Sequence, residues 1–322
     1  MTAPPTAAAA PTTAPYDAVV VGGSWAGLAA ALQLARARRR VLVVDAGRPR
    51  NRVARAAHGF LGQDGRAPAD VVATGRAEVL AYPTAALVAG EVTHAVAEGG
   101  VFRLALASGA TAVGRRLVLA TGIVDELPDL PGLGERWGTT VLHCPYCHGY
   151  EVADRRLGVL APTPLHVHAA LLLPDWSADV TLFTGGAFLL DGAQRDALAA
   201  RGVRVEERPV VALVGDAPAL AGVRLADGAV VPLDALFTGG RSRMASPLAE
   251  QLGCTLDEGP TGVVIRTDAQ QATTVPGVYA AGDVARSPGN ATLAVASGMT
   301  AGIAAHQSLA LPPAPAPAAP AA

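Results

Sequence analysis

The segment HCPYCHGYE, which begins at His143, holds the residues of this chain best suited to chemistry. Cys144 and Cys147 form a C-x-x-C pair, and His143 and His148 flank it. This spacing is typical of a redox dithiol or of half a zinc site, and it also occurs by coincidence. Only Cys254 remains as a third cysteine, so one chain cannot supply a zinc site of four thiolates. The pattern favours thiol–disulfide chemistry without a metal.

Thiol chemistry at neutral pH needs a thiolate, whereas an unperturbed cysteine has a pKa of about 8.5 and is mostly protonated. An imidazole beside the thiol can supply the thiolate and move protons. We therefore take Cys144, Cys147, His143 and His148 as candidate catalytic residues. A purely structural role is the alternative for one of the two histidines.

The composition restricts the class of protein. Of the 322 residues, 51% are hydrophobic and 16% are charged, which supports well-packed globular domains. The net charge is −2 and scattered arginines supply every basic side chain, so we expect no nucleic-acid or membrane partner. The N terminus lacks the pattern of a secretory signal, and we expect a cytoplasmic protein.

The elements that must position the cysteines begin with a βαβ pattern over residues 16–47. In such a unit Gly22 makes a tight turn and Gly27 lets helix and strand pack closely, while the amides of the helix N terminus meet a pyrophosphate. Asp45, at the end of the second strand, is placed to bind a ribose diol. Ser24 replaces the middle glycine of G-x-G-x-x-G, so a plain packing turn is the alternative.

Two later segments strengthen the dinucleotide interpretation. Residues 115–123 predict an apolar strand ending in Thr-Gly, and residues 277–309 predict a strand, a Gly-Asp turn and a long helix. With the βαβ unit, they resemble the thioredoxin reductase group of flavoproteins over roughly residues 16–310. The resemblance implies an α/β fold with two doubly wound, Rossmann-like domains of the FAD/NAD(P)-binding type.

The resemblance also implies a discontinuous layout. An FAD-binding domain would take residues 16–125 and 241–310, and residues 126–240 would form an inserted NAD(P)-type domain that carries the C-x-x-C pair. Residues 1–15 and 311–322, rich in Pro and Ala, would be disordered tails. The family is usually homodimeric, which predicts a homodimer here.

The resemblance implies that FAD is the cofactor. Its site would combine the Gly-rich turn, the end of the second strand, the P-R-N segment, the loop HGFLGQDG, the Thr-Gly turn, the Gly-Asp pair and the start of the last helix. The residues are Gly22, Gly23, Ser24, Trp25, Ala26, Gly27, Asp45, Ala46, Arg50, Asn51, His58, Ala120, Thr121, Gly122, Gly282, Asp283, Asn290 and Ala291.

The inserted domain departs from a working thioredoxin reductase, which binds NADPH through a second Gly-rich loop and a basic cluster. Here the loop at residues 161–165 reads APTPL, whose prolines lack an N–H and which has no glycine for close approach of a phosphate. Residues 183–188 read FTGGAF and offer no cation for a 2′-phosphate. We expect the NADPH site to be lost; weak binding by a divergent loop is the alternative.

The motif C-P-x-C-H-G-[YW]-E with a preceding histidine resembles a subgroup, the FAD-dependent dithiol oxidases that close disulfides in natural products of the gliotoxin and holomycin type. His148 stands where standard thioredoxin reductases have Asp. In the subgroup the histidine before the first cysteine and an asparagine after the second strand are implicated in catalysis, and they match His143 and Asn51.

The resemblance implies a reaction in which a substrate thiolate attacks the disulfide at Cys144 and the electrons pass through Cys147 to FAD. Because the nicotinamide site is expected to be lost, O₂ is the expected final acceptor, giving H₂O₂. The expected partner is a small dithiol. A thioredoxin or disulfide reductase that uses NADPH atypically or ferredoxin, and a non-catalytic FAD-binding sensor, are the alternatives.

Overall fold

A computed structural model describes residues 14–312. Residues 1–13 and 313–322, which belong to the two tails predicted to be disordered, lie outside the described residues. The chain divides into two compact units. The first unit holds the chain up to Pro49, Asp70–Val124 and the chain from Arg243 onwards; the second unit holds Arg50–Ala69 and Asp125–Ser242.

The described residues form the following strands: β1 (Ala18–Val21), β2 (Val41–Asp45), β3 (Ala85–Ala89), β4 (Val92–Glu98), β5 (Val101–Leu106), β6 (Thr111–Gly114), β7 (Leu117–Leu119), β8 (Ile123–Asp125), β9 (Val141–Leu142), β10 (Leu157–Leu160), β11 (Val180–Phe183), β12 (Arg204–Glu206), β13 (Val210–Val214), β14 (Gly222–Leu225), β15 (Val230–Pro232), β16 (Ala235–Phe237), β17 (Ser242–Met244), β18 (Leu256–Glu258), β19 (Val263–Ile265) and β20 (Val278–Ala280). The α-helices are α1 (Trp25–Arg36), α2 (Pro68–Leu80), α3 (Pro145–His148), α4 (Val167–Leu172), α5 (Gly192–Ala200), α6 (Leu248–Gln251) and α7 (Ala291–Ala310).

The first unit is built on a parallel five-stranded sheet with the strand order β20-β7-β1-β2-β3. The four residues of β1 are fully or almost fully buried, as expected for a strand covered on both faces. Helices α1 and α7 and part of α2 cover one face, and the antiparallel sheet β4-β5-β6 and α6 cover the other. The βαβ unit predicted over residues 16–47 is therefore confirmed.

Helices α1 and α7 pack at backbone distance. A Cβ atom added at Gly298 would lie 2.1 Å from the carbonyl oxygen of Ala26, and one at Gly302 would lie 2.5 Å from that of Ala30. Only glycine permits this approach. The contact fixes the last helix against the helix that begins at the Gly-rich turn.

The second unit has its own parallel five-stranded sheet, with the order β12-β11-β10-β16-β9, and an antiparallel sheet β13-β14-β15. Two hydrophobic clusters fill its core, one around Leu157, Leu173 and Leu182, the other around Leu133, Phe183 and Leu225. The chain thus has the mixed α/β, doubly wound fold expected of thioredoxin reductase-like proteins.

One boundary differs from the sequence prediction. Residues 50–69, expected within the FAD-binding domain, cluster with the second unit. The physical reason is local contact: Arg50 forms an ion pair with Asp125, and a Cβ atom at Gly138 would lie 2.5 Å from Cγ2 of Val53. The sequence spacing carries no signal for either contact.

Candidate active site

The C-x-x-C pair lies at the start of a short helix in the second unit. Strand β9 ends one residue before His143, Cys144 is the N-cap residue of helix α3, and Pro145 occupies its first position, where a missing N–H costs nothing. The Cys147 N–H donates to the Cys144 carbonyl over 3.1 Å. Both cysteines are partly buried, and their thiols are free in the structure.

Trp176 packs against this helix. A Cβ atom added at Gly149 would lie 3.0 Å from the Trp176 indole, and the Tyr146 ring meets Trp176 edge to face at 5.6 Å between centroids. The glycine that follows His148 in the motif is therefore required by packing. Tyr146 itself is 70% exposed, so its ring flanks the dithiol on the solvent side.

The two thiols differ in acidity. The Cys144 sulfur accepts a hydrogen bond from the Cys147 thiol and further ones from the backbone of Cys147 and Tyr146, which lowers the pKa of Cys144 to about 7. The same thiol–thiol hydrogen bond and burial raise the pKa of Cys147 above its ordinary value. In the reduced pair, Cys144 is therefore the thiolate, and it accepts a hydrogen bond from the protonated Cys147 thiol.

Arg50 supplies positive charge to this pair. Its guanidinium binds Asp125 through two hydrogen bonds, Nε to Oδ2 at 2.9 Å and Nη2 to Oδ1 at 2.5 Å, and both side chains are largely buried. The Arg50 charge lowers the pKa of Cys144, of Cys147 and of His143. Sequence analysis assigned Arg50 to FAD; its position in the second unit adds a role at the thiols, which no local spacing indicates.

This arrangement predicts that Arg50→Gln raises the pKa of the Cys144 thiol. In the native chain the thiolate forms as the pH rises through about 7, so alkylation by iodoacetamide slows below that pH. Removal of the cation disfavours the thiolate, and the midpoint of the rate–pH curve should move to higher pH. Arg52→Gln, in the same 3₁₀ turn, is the matched control. Superimposable curves for Arg50→Gln and the native chain would contradict the assignment.

His143 directly precedes the dithiol and keeps one face open to solvent while the other packs on protein. Burial lowers the pKa of His143, and the charge of Arg50 adds to this effect, while Asp125 and a hydrogen bond with the Thr238 backbone oppose it. A neutral imidazole at this position is able to accept a proton at neutral pH. The structure thus places His143, the predicted base, near the charges of Arg50 and Asp125.

His148 and His58 form a second pair in the same unit. Their rings meet edge to face at 6.4 Å between centroids, and Nε2 of His58 lies 3.4 Å from Oε1 of Glu151. Burial lowers the pKa of His148, and the Glu151 charge opposes that shift. Sequence analysis assigned His58 to the flavin; here it lies beside the C-x-x-C histidine, with Asp64 3.6 Å from its Nδ1.

Asn51 lies in the 3₁₀ turn Arg50–Val53, immediately after the arginine that charges the dithiol. Its carbonyl accepts a hydrogen bond from the Ala54 N–H at 3.1 Å. The structure therefore brings Asn51, Arg50 and His58 into the unit that holds the cysteines. Their predicted roles toward FAD stay predictions.

The Gly-rich turn of the first unit is shaped to receive a phosphate. Gly22 has φ +109°, and a Cβ atom there would lie 2.2 Å from the Ala120 carbonyl; one at Gly27 would lie 1.8 Å from the Gly22 carbonyl. Helix α1 begins directly after Ser24, so the N–H groups of its first turn face the turn. The Ser24 hydroxyl is buried and has no hydrogen-bond partner among residues 14–312. An orphaned donor at this point fits a pyrophosphate oxygen.

Asp45 ends β2 as predicted, but its carboxylate already has protein partners. Oδ1 accepts from the Gly23 N–H at 3.0 Å, and Oδ2 pairs with the Arg76 guanidinium. A Cβ atom at Gly23 would lie 2.7 Å from the Asp45 Cβ, so the carboxylate sits directly on the turn. Arg76, on α2, is a neighbour that sequence reasoning missed.

The remaining predicted cofactor residues frame the same end of the sheet. The segment Ala120–Gly122 follows β7, and the Gly-Asp pair follows β20 in a 3₁₀ turn. The Gly282 N–H donates to Ser297 Oγ at 2.9 Å. Asn290 caps α7 by accepting from the Leu293 N–H at 2.8 Å, so Ala291 begins the helix as predicted. Trp25 and Ala26 open α1, and Ala46 follows β2.

In the second unit, two prolines and a 3₁₀ turn shape the loop after β10. Pro164 begins a 3₁₀ turn, and the chain folds back so that the backbone N–H of His166 donates to the Thr163 carbonyl at 3.2 Å. The Ala161 N–H donates to the Phe183 carbonyl at 2.9 Å. Of the backbone nitrogens that would surround a phosphate in a nucleotide-binding loop, those of residues 162 and 164 belong to prolines, and those of residues 161 and 166 have protein partners.

Three arginines, on α5 and at the two ends of β12, pair with carboxylates. Arg204 pairs with Asp179, Arg195 with Glu207 at 2.7 Å, and Arg208 with Glu206 and Asp227 at 2.5 and 2.8 Å. The Glu206 pKa is lowered, chiefly by its hydrogen bonds with Arg208. Each of these cations is already neutralised by a protein anion.

In the part of the chain that the structure describes, no helix is both long and apolar enough to cross a membrane. Nor do the described residues contain a cluster of His, Cys, Asp and Glu side chains arranged to hold a metal ion.

Comparison with known proteins decides the family. Residues 16–298 match the family model described as pyridine nucleotide-disulphide oxidoreductase. The chain belongs to this family. This description agrees with the Gly-rich turn of the first unit and the dithiol of the second.

Relatives within the pyridine nucleotide-disulphide oxidoreductase family include a protein of Claviceps purpurea named thioredoxin reductase tcpT, 36% identical over 89% of this chain and 92% of its own length. Thioredoxin reductase sirT of Leptosphaeria maculans is 30% identical over the same shares. These similarities confirm that the chain is a thioredoxin reductase-like oxidoreductase of the flavoprotein type.

Two solved structures agree closely with the fold. An oxidoreductase from Agrobacterium tumefaciens superimposes with a TM-score of 0.89 at 47% identity, over 93% of this chain and 100% of that one. The crystal structure of HlmI gives a TM-score of 0.86 at 44% identity, over 92% and 93% of the two chains.

Proposed function

We propose that this protein is an FAD-dependent dithiol oxidase that forms a disulfide in a small thiol substrate and passes the electrons to O₂. The observation that carries the proposal is the contrast between two sites. The second unit keeps an activated dithiol, Cys144 and Cys147, while the loop after β10 has prolines at positions 162 and 164, which offer no N–H to a phosphate. Electrons therefore enter at the sulfurs.

FAD fits the first unit. The Ser24 hydroxyl, the first-turn amides of α1 and the turn at Gly22 would hold the pyrophosphate, and Asp283 and the start of α7 would complete the site. When bound, FAD would take two electrons from the dithiol and give them to O₂, with H₂O₂ as the product. The residues of this chain have to deliver those electrons and move the protons.

The proposed disulfide exchange at the cysteine pair has two steps. A substrate thiolate attacks the Cys144 sulfur of the oxidised pair, the S–S bond breaks, and the electron pair leaves on Cys147. The second substrate thiolate then attacks the substrate sulfur of the mixed disulfide and releases Cys144. The substrate loses two electrons and two protons, and the enzyme pair gains the two electrons.

The two protons that the substrate loses go to different groups. One stays on the reduced pair as the Cys147 thiol, which donates to the Cys144 thiolate. The other passes to the neutral imidazole of His143 and from there to solvent. Arg50 stabilises the anionic pair that results, and Asp125 holds Arg50 in place.

The names of the relatives favour a second candidate, a thioredoxin or disulfide reductase that works in the opposite direction. Such an enzyme needs an electron donor, either NADPH bound in an unusual manner or ferredoxin. The loop after β10 supports the oxidase, because its two prolines lack the N–H groups with which a nucleotide-binding loop holds a phosphate.

The test is oxygen consumption with a small dithiol. We expect dithiothreitol to be oxidised with one O₂ consumed and one H₂O₂ formed per disulfide, as measured with an oxygen electrode and a peroxidase-coupled dye. Under argon the dithiol should bleach the flavin absorbance once, and admission of air should restore it. A flavin that dithiols bleach but air does not restore would favour the reductase.

A further inference from the structure

We propose that His166 and Gly239 are positioning residues for His143, so that the former nucleotide loop now supports the histidine that moves protons at the dithiol. The inference rests on the proposed function for the importance of His143. The inference goes beyond the proposed function because it gives a role in supporting His143 to the loop after β10, which was expected only to have lost its nucleotide site.

Gly239 lies against the ring of His143. A Cβ atom added at residue 239 would lie 2.9 Å from Nδ1 and 3.0 Å from Cε1 of His143, so the imidazole ring would have to move. The backbone of Gly239 is not in the left-handed region, so the absence of a side chain is needed for the imidazole and not for the backbone conformation. Gly239 therefore forms the surface against which the His143 ring packs.

His166 hydrogen-bonds the backbone of Gly239. Its Nε2 lies 3.0 Å from the Gly239 carbonyl oxygen, and because a carbonyl only accepts, Nε2 must carry the proton. Its Nδ1 lies 3.2 Å from the Thr163 hydroxyl, which donates to it in the neutral ring. When His166 is protonated, Nδ1–H donates instead to the Thr163 carbonyl at 3.2 Å. Both states keep the bond to Gly239.

The backbone before Gly239 is fixed by the sheet. The Thr238 N–H donates to the Leu142 carbonyl at 2.9 Å, and its hydroxyl donates to the Leu160 carbonyl at 3.0 Å. Leu142 precedes His143 and Leu160 precedes the APTPL loop, so Thr238 joins the two segments. Thr238 is buried, and its backbone also hydrogen-bonds His143. His166 therefore holds Gly239, the residue that follows Thr238 and lies against the imidazole.

The charged groups that face His143 are Arg50, Asp125 and His166. Burial lowers the pKa of His143, Arg50 and His166 act in the same direction, and Asp125 acts against them. Loss of the His166 ring removes the donor to the Gly239 carbonyl, so the backbone beside the imidazole is no longer held and the burial that lowers the His143 pKa is reduced. The pKa of His143 should therefore rise in His166→Ala.

The experiment compares four variants of the flavin-loaded protein: Gly239→Ala, His166→Ala, His166→Gln and His168→Ala. The glutamine side chain of His166→Gln retains a donor at the position of Nε2, and His168 is an exposed residue on the adjoining helix α4. The readouts are the pH titration of the His143 Cε1–H signal by NMR, assigned with His143→Asn, and kcat and KM for dithiothreitol. Flavin content and circular dichroism report folding.

We expect Gly239→Ala to displace the His143 signal and to lower kcat by on the order of tenfold to a hundredfold with little change in KM, the scale on which misplaced catalytic groups act. His166→Ala should raise the His143 pKa and lower kcat, His166→Gln should restore most of both, and His168→Ala should match the native protein. If Gly239→Ala does not fold, the two His166 variants decide.

His143 titration curves that are unchanged in Gly239→Ala and His166→Ala would overturn the proposal, whatever the enzyme oxidises. If His143→Asn retained full dithiol oxidation while those titrations shifted, the positioning would stand and the role of His143 in the proposed function would fail. The two failures are therefore distinguishable.

Discussion

Cys144→Ser and Cys147→Ser each abolish dithiol oxidation while the protein still binds its flavin. We expect a loss on the order of a thousandfold or more, because the two sulfurs act as a unit and neither can close a disulfide alone. The measurement is O₂ consumption with dithiothreitol at equal flavin concentration. Serine is close to cysteine in size, and the pair lies in the second unit, so the Gly-rich turn of the first unit should be unaffected.

Cys254→Ala is the matched control for this result. Cys254 is buried in the hydrophobic core of the first unit, burial raises its pKa, and its sulfur contacts the Thr273 hydroxyl at 3.6 Å. The substitution should cost some stability and leave the oxidation rate unchanged. Equal oxidation rates in the native protein and both Cys→Ser variants would mean that thiols reach the electron acceptor without the C-x-x-C pair, and would favour a flavin-binding module without disulfide turnover.

NADPH should bleach the flavin at least about a hundredfold more slowly than dithiothreitol when each is mixed anaerobically with the protein. Two charge-assisted hydrogen bonds to phosphate, each worth about 1.5–3 kcal/mol, are missing from the second unit, and their loss alone corresponds to that factor. Pro162 and Pro164 offer no N–H, and Arg195 and Arg208, near the carboxyl end of β12, pair with carboxylates. Stopped-flow absorbance of the flavin band measures both rates.

Dithionite provides the control, since it should bleach all of the flavin and show that the cofactor is reducible. Cys144→Ser should lose bleaching by dithiothreitol and retain bleaching by dithionite. If stoichiometric NADPH reduced all of the flavin within the dead time of the stopped-flow instrument, the oxidase proposal would be wrong and the reductase would be supported. Calorimetric titration with NADPH, which we expect to give no measurable heat of binding, checks the same site without turnover.

The sequence by itself determined the local elements and the identity of the reacting groups. The strand from Ala18, the turn at Gly22 and the helix from Trp25 could be predicted because hydrophobic periodicity and the conformational freedom of glycine act over a few residues. The same holds for the helix that begins at Ala291 and for the C-x-x-C pair. Each signal lies within one continuous segment.

Only the tertiary structure decided which distant groups surround the sulfurs. Arg50 reaches Asp125 across 75 positions, and His166 reaches Gly239 across 73, so no window of sequence contains both partners. The placement of residues 50–69 with the second unit depends on such contacts and was missed for that reason. Hydrogen bonds and charges act through space, whereas hydrophobic periodicity is a property of the chain sequence. The acidity of Cys144 and the support of His143 depend on contacts through space, so only the tertiary structure reveals them.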